Sequence, residues 1–525
     1  MSIVDVCWLT ARLQVLMKNR IRLKFLSNKS SSYVLCGAFF ILFLLNHSIS
    51  VVAQDSYLEL SPRLVSAYNN AIELKLDLAR KDIQLAEREE PNNVMRLHIE
   101  NYIDFFQIFI KEEKSDFKNL EKLKDKRIKQ IRKTSDENPL KLFSEAEINL
   151  QWALLRLKFG EYIDAAFEIT RANALLEENE IRFPDFVENK KSLAIIHSLA
   201  ESTPSMVRSI MGIEGSIQQG MQEIKELYDY SQSHHTIFEK EIIAIYAYML
   251  YYQLNKREEA YDFLLNSSLK PNQNLLSTFL VASMAMRNGH NDEALKILEN
   301  RPHDPDMISF YYLDFMQGKC LLSKLDPGAN EYILKFTDNF KGRHYIKEAY
   351  QKLAWCELVE NNDLAAYKKY MALCVKKGED LLDEDKQALK EAKETNIPNA
   401  DLLKARILFD GGYFQKAYKI LALNSYKFLS SDSGRLEYLY RLGRVLQNLK
   451  NYPEALNNYE QLLQEGNGKT YFECSAALQA GMIYEEQGEP KEAKKFYHKC
   501  LDLSPDNYKT SLHQKAKSAL NRLNK

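Results

Sequence analysis

Apolar and small side chains recur along this 525-residue chain at three- and four-residue spacing, in blocks separated by short turn signals. That period belongs to amphipathic helices, and no run of β-branched residues alternates as a strand requires. The clearest block is Ala480-Gly481…Tyr484…Gly488…Ala493…Tyr497…Cys500…Pro505. It predicts a pair of antiparallel helices. Gly and Ala stand where the two helices approach most closely, aromatics fill the gaps to neighbouring pairs, and Pro505 stops the second helix. The block recurs 38 residues upstream as Leu442-Gly443…Tyr452…Ala455…Tyr459, and 38 farther as Ala405…Gly412…Phe414…Ala417…Leu421. Weaker copies are Leu353-Ala354…Asn361…Ala366…Tyr370, Val281-Ala282…Gly289…Ala294…Leu298, Ala247…Asn255…Ala260…Leu264 and Trp152-Ala153…Gly160…Tyr162…Ala165…Ile169. In each copy the turn falls five residues before the key alanine. One such pair cannot bury its apolar face, so the repetition implies an all-α solenoid of stacked helix pairs.

The flanks divide the rest. Residues 58–89 read as one long helix, with Leu64, Ala67, Ala71, Leu74 and Leu78 on a face and Pro91 as its breaker. Residues 94–110 give a second helix rich in aromatics, and 117–133 a third. Residues 54–140 then form an amino-terminal helical cap over the first edge of the stack. The first hairpin and a less regular stretch occupy 141–235, the repeat array 236–505, and a closing amphipathic helix 506–525.

The amino terminus has a different character. Lys18, Arg20, Arg22, Lys24 and Lys29 precede the 12-residue apolar run at 34–45, and Val51-Val52-Ala53 follows it. A basic start, a short apolar middle and small residues at the end make a secretory leader, with cleavage expected after Ala53. The run is short for a membrane span, which takes about 20 residues. An uncleaved leader serving as a membrane anchor is the alternative, and translation starts at Met1 or Met17. The expectation is an exported protein, periplasmic or envelope-associated in a Gram-negative cell.

Charge narrows the partner class. Residues 1–53 hold six of the 71 basic side chains and one of the 72 acidic ones, which leaves a net charge of −6 from residue 54 onward. A nucleic-acid binder shows a basic excess, so none is expected here. The locally basic run at 111–133 is threaded by Phe117, Leu120, Leu123, Ile128 and Ile131 and reads as the wet face of an amphipathic helix. Five cysteines follow the leader, an odd number, and they read as small buried apolar residues. No phosphate loop, His-Glu-x-x-His, Gly-x-Ser-x-Gly or Cys-x-x-Cys occurs, so neither catalysis nor any metal or cofactor is expected.

The helix-pair block resembles the tetratricopeptide repeat. Three further segments resemble the long proteins of tetratricopeptide-repeat family 39. They are residues 205–227 with Gly212, Gly215 and Gly220, residues 311–340 with Tyr312, Leu313, Gly318 and Asp326-Pro327, and Phe340-Lys341-Gly342-Arg343 running into Leu353-Ala354-Trp355. The resemblance implies a non-enzymatic array whose first helices line a concave groove. It places Tyr440, Arg444 and Gln447, then Leu402, Arg406 and Phe409, then Leu478, Met482 and Glu485 along that groove. The function expected is a scaffold for protein–protein interaction, with proteins or peptide segments as partners. The alternative is a carrier that holds a lipid or another small apolar ligand inside the superhelix.

Overall fold

The computed structural model describes residues 55–202, 212–394, 396–425, 428 and 432–523. The expected leader therefore lies outside the described residues, as does part of the segment at 205–227. Among the described residues there are 24 α-helices and no strand, beyond one isolated bridge between Tyr57 and Asn93. The all-α expectation holds among the described residues. The chain divides into two compact units: the first runs to Lys270 and adds 274–276 and 303–309, and the second takes the remainder.

The first unit opens with α1 (Pro62–Ile72) and α2 (Leu76–Glu89). These replace the single helix expected over 58–89. Leu74 adopts a left-handed backbone, with φ 61°, and reverses the chain so that the apolar face folds on itself. There follow α3 (Arg96–Lys111), α4 (Lys114–Ile131), α5 (Pro139–Phe159) and α6 (Tyr162–Arg182). Then come α7 (Asn189–Ser202), α8 (Ile217–Ser231), α9 (Glu239–Tyr248) and α10 (Arg257–Leu265). The core of this unit is unusually ionic. The Lys191 ammonium is buried and donates to Glu147 (2.7 Å), Glu241 (3.1 Å) and the Tyr102 hydroxyl (2.9 Å), with the Phe238 ring 4.4 Å away. Tyr68 also donates to Glu241, and Ser192 to Glu147. Five helices thus meet at one charge. Breaking such a buried pair costs about 3–5 kcal/mol because the remaining ion is stranded. The basic run at 111–133 is not only a wet face. Lys124 and Arg127 are buried and paired with Glu168 and Asp104.

The second unit contains α11 (Leu275–Arg287) with α12 (Asn291–Glu299), and α13 (Tyr312–Ser323) with α14 (Ala329–Asn339). Next are α15 (Ile346–Cys356), α16 (Leu364–Lys376), α17 (Asp383–Lys393), α18 (Ala400–Asp410) and α19 (Phe414–Leu423). The last are α20 (Asp432–Asn448), α21 (Tyr452–Glu465), α22 (Tyr471–Glu486), α23 (Pro490–Asp502) and α24 (Lys509–Leu523). Successive pairs run antiparallel and stack on the next pair, while α17 packs on α15 and α18 packs back on α13.

The repeat positions explain the hairpins. The turn residue five before the key alanine has positive φ at Gly160, Asn255, Gly289, Gly412, Lys450 and Gly488. The copy at 353–370 departs from this. A π-helical turn at Glu357–Asn361 inserts a residue, Asn362 takes the positive φ, Ala366 is half-buried and Tyr367 fills the core place expected of it. At the crossings, a Cβ built on Gly443 would meet the Tyr459 ring at 2.5 Å, and one on Gly481 the Tyr497 ring at 2.6 Å. Both tyrosines are fully buried. Only glycine leaves room for the ring.

The turns before α12 and α19 also meet. Gly412 has φ 82°, and a Cβ there would run into the Gly289 carbonyl oxygen. Gly412→Ala is expected to destabilise the second unit by about 3 kcal/mol or more, from left-handed strain plus forced backbone movement. Gly488→Ala has the same kind of φ and open space around it, so it should cost only about 1–2 kcal/mol. Urea midpoints of the two variants check the ordering.

Burial pushes His98 down to about 4, with nearby Lys191 lowering it further and Glu147 opposing. Between pH 6.5 and 4 the unfolded chain binds a proton at His98 that the folded chain does not. The first unit should therefore lose stability as pH falls through that window, by at most about 3 kcal/mol from this group. His98→Gln should flatten that share of the slope, read from urea midpoints at pH 7 and pH 4.5.

Candidate functional site

The small residue at each crossing points one way, so the residue after it points another. In the second unit that register holds Lys319, Trp355, Arg406, Arg444 and Met482, on α13, α15, α18, α20 and α22. Helix α15 is fixed firmly at its start. The Asp385 carboxylate on α17 accepts from the amides of Tyr345 (2.7 Å), Lys347 (3.0 Å) and Glu348 (3.1 Å). Lys347 in turn donates to the carbonyls of Cys374, Val375 and Lys377 at the end of α16. These orphan helix-end groups find distant partners, which orients α15 and the side chains it carries.

From there contacts run across six helices, α13, α15, α17, α18, α20 and α22. Lys319 donates to the buried Glu348 at 3.0 Å, and Lys352 lies 3.8 Å from the same carboxylate. The Lys352 ammonium sits 3.6 Å from the centre of the Trp355 ring, and the Arg406 guanidinium 4.7 Å from it. The Trp355 indole N–H donates to Glu391 at 2.6 Å. Arg444 lies over the Phe409 ring at 5.1 Å, and Tyr440 bonds Ser475 of α22 at 3.0 Å. Burial pushes Lys352 down to about 8; Glu348 opposes this, and Arg406 and Lys319 add to it.

The sequence-derived groove residues fall into three groups. Arg406, Phe409, Tyr440 and Arg444 come together in this row. Gln447 and Glu485 are occupied: Gln447 accepts from the Tyr459 hydroxyl at 2.8 Å, and Glu485 from the Tyr497 hydroxyl at 2.5 Å and from Arg522 at 2.9 Å. Each holds the tyrosine that fills its hairpin's glycine seat. Met482 is exposed, while Leu402 and Leu478 are buried in packing. Trp355, Lys352 and Lys319 were missed, although Trp355 and Lys319 stand in the same register as Arg406 and Arg444.

Charge in the row is not balanced evenly. Glu348 serves two lysines, and Glu391 is taken by Trp355 and by Gln351 at 2.6 Å. The nearest ion pair of Arg406 is Asp410 at 3.9 Å, and Arg444 has no carboxylate within 4 Å among the described residues. The row can therefore accept anionic groups bidentately while offering aromatic faces beside them. No group of three or more metal-ligating side chains occurs among the described residues.

Residues 434–506, which form α20 to α23, match the tetratricopeptide repeat family model. This stretch is a tetratricopeptide-repeat segment, and the match does not reach the level of family 39. No curated protein sequence matches the chain. Solved structures with a related helical arrangement include the Naa15/Naa10 complex bound to HypK, the Cut9–Hcn1 hetero-tetramer of the APC/C, and yeast Tom70. Each is 13% identical; they cover 87%, 87% and 88% of this chain, at TM-scores of 0.25, 0.25 and 0.23. The chain spans 65% of the length of the Naa15/Naa10 match, 97% of Cut9–Hcn1 and 96% of Tom70. The repeat reading rests on residues 434–506 and on the hairpin geometry, since overlaps this shallow carry no argument of their own.

Proposed function

We infer that the chain is a non-enzymatic scaffold for protein–protein interaction, and that its second unit seats an acidic segment of a partner protein. The observation that carries this is the pair Arg406 and Arg444. Each guanidinium is held against an aromatic ring of the preceding first helix, and neither has a carboxylate closer than 3.9 Å. Stacking fixes the planar forks, so little entropy is lost when a carboxylate binds. Lys352 adds a cation between them and Lys319. Export through the leader, with cleavage after Ala53, belongs to the same proposal, as does kinship with family 39. Amino-terminal sequencing of material from the cell envelope tests the export part: a start at Gln54 supports it, and an intact Met1 or Met17 refutes cleavage.

The binding claim is tested with the full chain and a fluorescent peptide of alternating Glu and Phe, read by anisotropy. Binding should weaken steeply with salt. Replacing Arg406 and Arg444 together by Gln should weaken it by about 10-fold or more, in line with the loss of charge-assisted hydrogen bonds. As pH rises through about 8, Lys352 loses its proton and affinity should fall further. Equal binding by the double variant, or preference for a Lys and Phe peptide, would refute the acidic-segment reading.

A further inference from the structure

The last hairpin holds two cysteines in contact. Cys474 on α22 and Cys500 on α23 are fully buried, and their sulfurs lie 3.5 Å apart. The Cys474 thiol also faces the Cys500 carbonyl at 3.4 Å. The preceding copy supplies a comparison within the chain. At the same two positions, 38 residues earlier, stand Leu436 and Leu462, and both pack into the apolar core there. Both of these paired positions are cysteine in the hairpin of α22 and α23. Cys320, Cys356 and Cys374 are also buried, and among the described residues none of them pairs with another cysteine.

We propose that Cys474 and Cys500 are a disulfide-forming site that staples α22 to α23 in the second unit. Closing 3.5 Å to an S–S bond of about 2.05 Å takes about 1.5 Å of sulfur movement. The oxidant is a small-molecule or protein disulfide. The Cys474 thiolate attacks one of its sulfurs, and the other leaves as a thiol after taking up a proton. The Cys500 thiolate then attacks Cys474 Sγ; the Cys474–Cys500 bond forms as the mixed disulfide breaks, and the second oxidant sulfur leaves as a thiol. The two cysteines give up two electrons and two protons, and the oxidant receives both.

Helix α24 packs on this hairpin: Leu512, Ala516 and Leu520 join Cys474 and Cys500 in one apolar cluster. Because both sulfurs are shielded in the folded hairpin, oxidation takes place while the hairpin assembles or when α24 lifts. This proposal does not depend on the acidic-segment reading.

The test incubates the full chain with glutathione disulfide in mild urea, alkylates free thiols, and maps the peptides by mass. The expected result is one linked species joining the peptides of Cys474 and Cys500, separable by reductant, with Cys320, Cys356 and Cys374 alkylated. The unfolding midpoint of the oxidised chain should exceed that of the reduced chain by on the order of 5 °C. Cys500→Ala should abolish that redox difference, whatever its own stability. Separate alkylation of Cys474 and Cys500, linkage of either to another cysteine, or a redox difference that survives in Cys500→Ala would overturn the proposal.

Discussion

The second unit depends on one steric fit, a large side chain of a second helix lodged on a glycine of the first. Tyr459 lies on Gly443 and Tyr497 on Gly481, and Ile333 takes the same place on Gly318. Each fit sets the depth at which two helices cross. The buried tyrosine hydroxyls then reach Gln447 and Glu485, four residues beyond the glycines, and fix the rotation as well. A hairpin so defined presents the same faces at each repetition, and stacking follows.

The row of cations is a consequence of that repetition. Once the crossing residue faces inward, its neighbour in sequence is carried to the same place on every first helix. Arg406 and Arg444 stand there with aromatic partners on adjacent helices, and Trp355 stands there between Lys352 and Arg406. The capping of α15 by Asp385 supports this by holding the helix that bears both Lys352 and Trp355. The first unit uses a different means. There the helices are joined by enclosed ion pairs, with Lys191 shared between Glu147 and Glu241.

Much of the fold was legible in the sequence because small residues are rare enough to mark crossings. The spacing of Gly443, Ala455 and Tyr459 against Gly481, Ala493 and Tyr497 sufficed for the last hairpins. It misled at Ala366, where an inserted residue shifts the register by one and leaves no mark in composition. It misled again over 58–89, where the break falls at Leu74, a residue that ordinarily avoids positive φ. Of the candidate row, Arg406, Phe409, Tyr440 and Arg444 were named from the repeat resemblance, and the structure brings these four together. Gln447 and Glu485 came from the same resemblance, but their engagement by Tyr459 and Tyr497 depends on how deep the rings sit. The Lys191 cluster was invisible, because Tyr68, Tyr102, Glu147, Lys191 and Glu241 come from distant segments. Charged residues in a helical pattern read as solvated until their partners are known.

The central claim is that the glycine seats, and not the surface charges, hold the stack in register. Native-state hydrogen exchange on Gly481→Ala tests it most directly. The account predicts that amide protection falls together across α22, α23 and α24, while α20 and α21 lose less and the first unit is unchanged. Protection equal to that of the unaltered chain throughout α22 and α23 would contradict it.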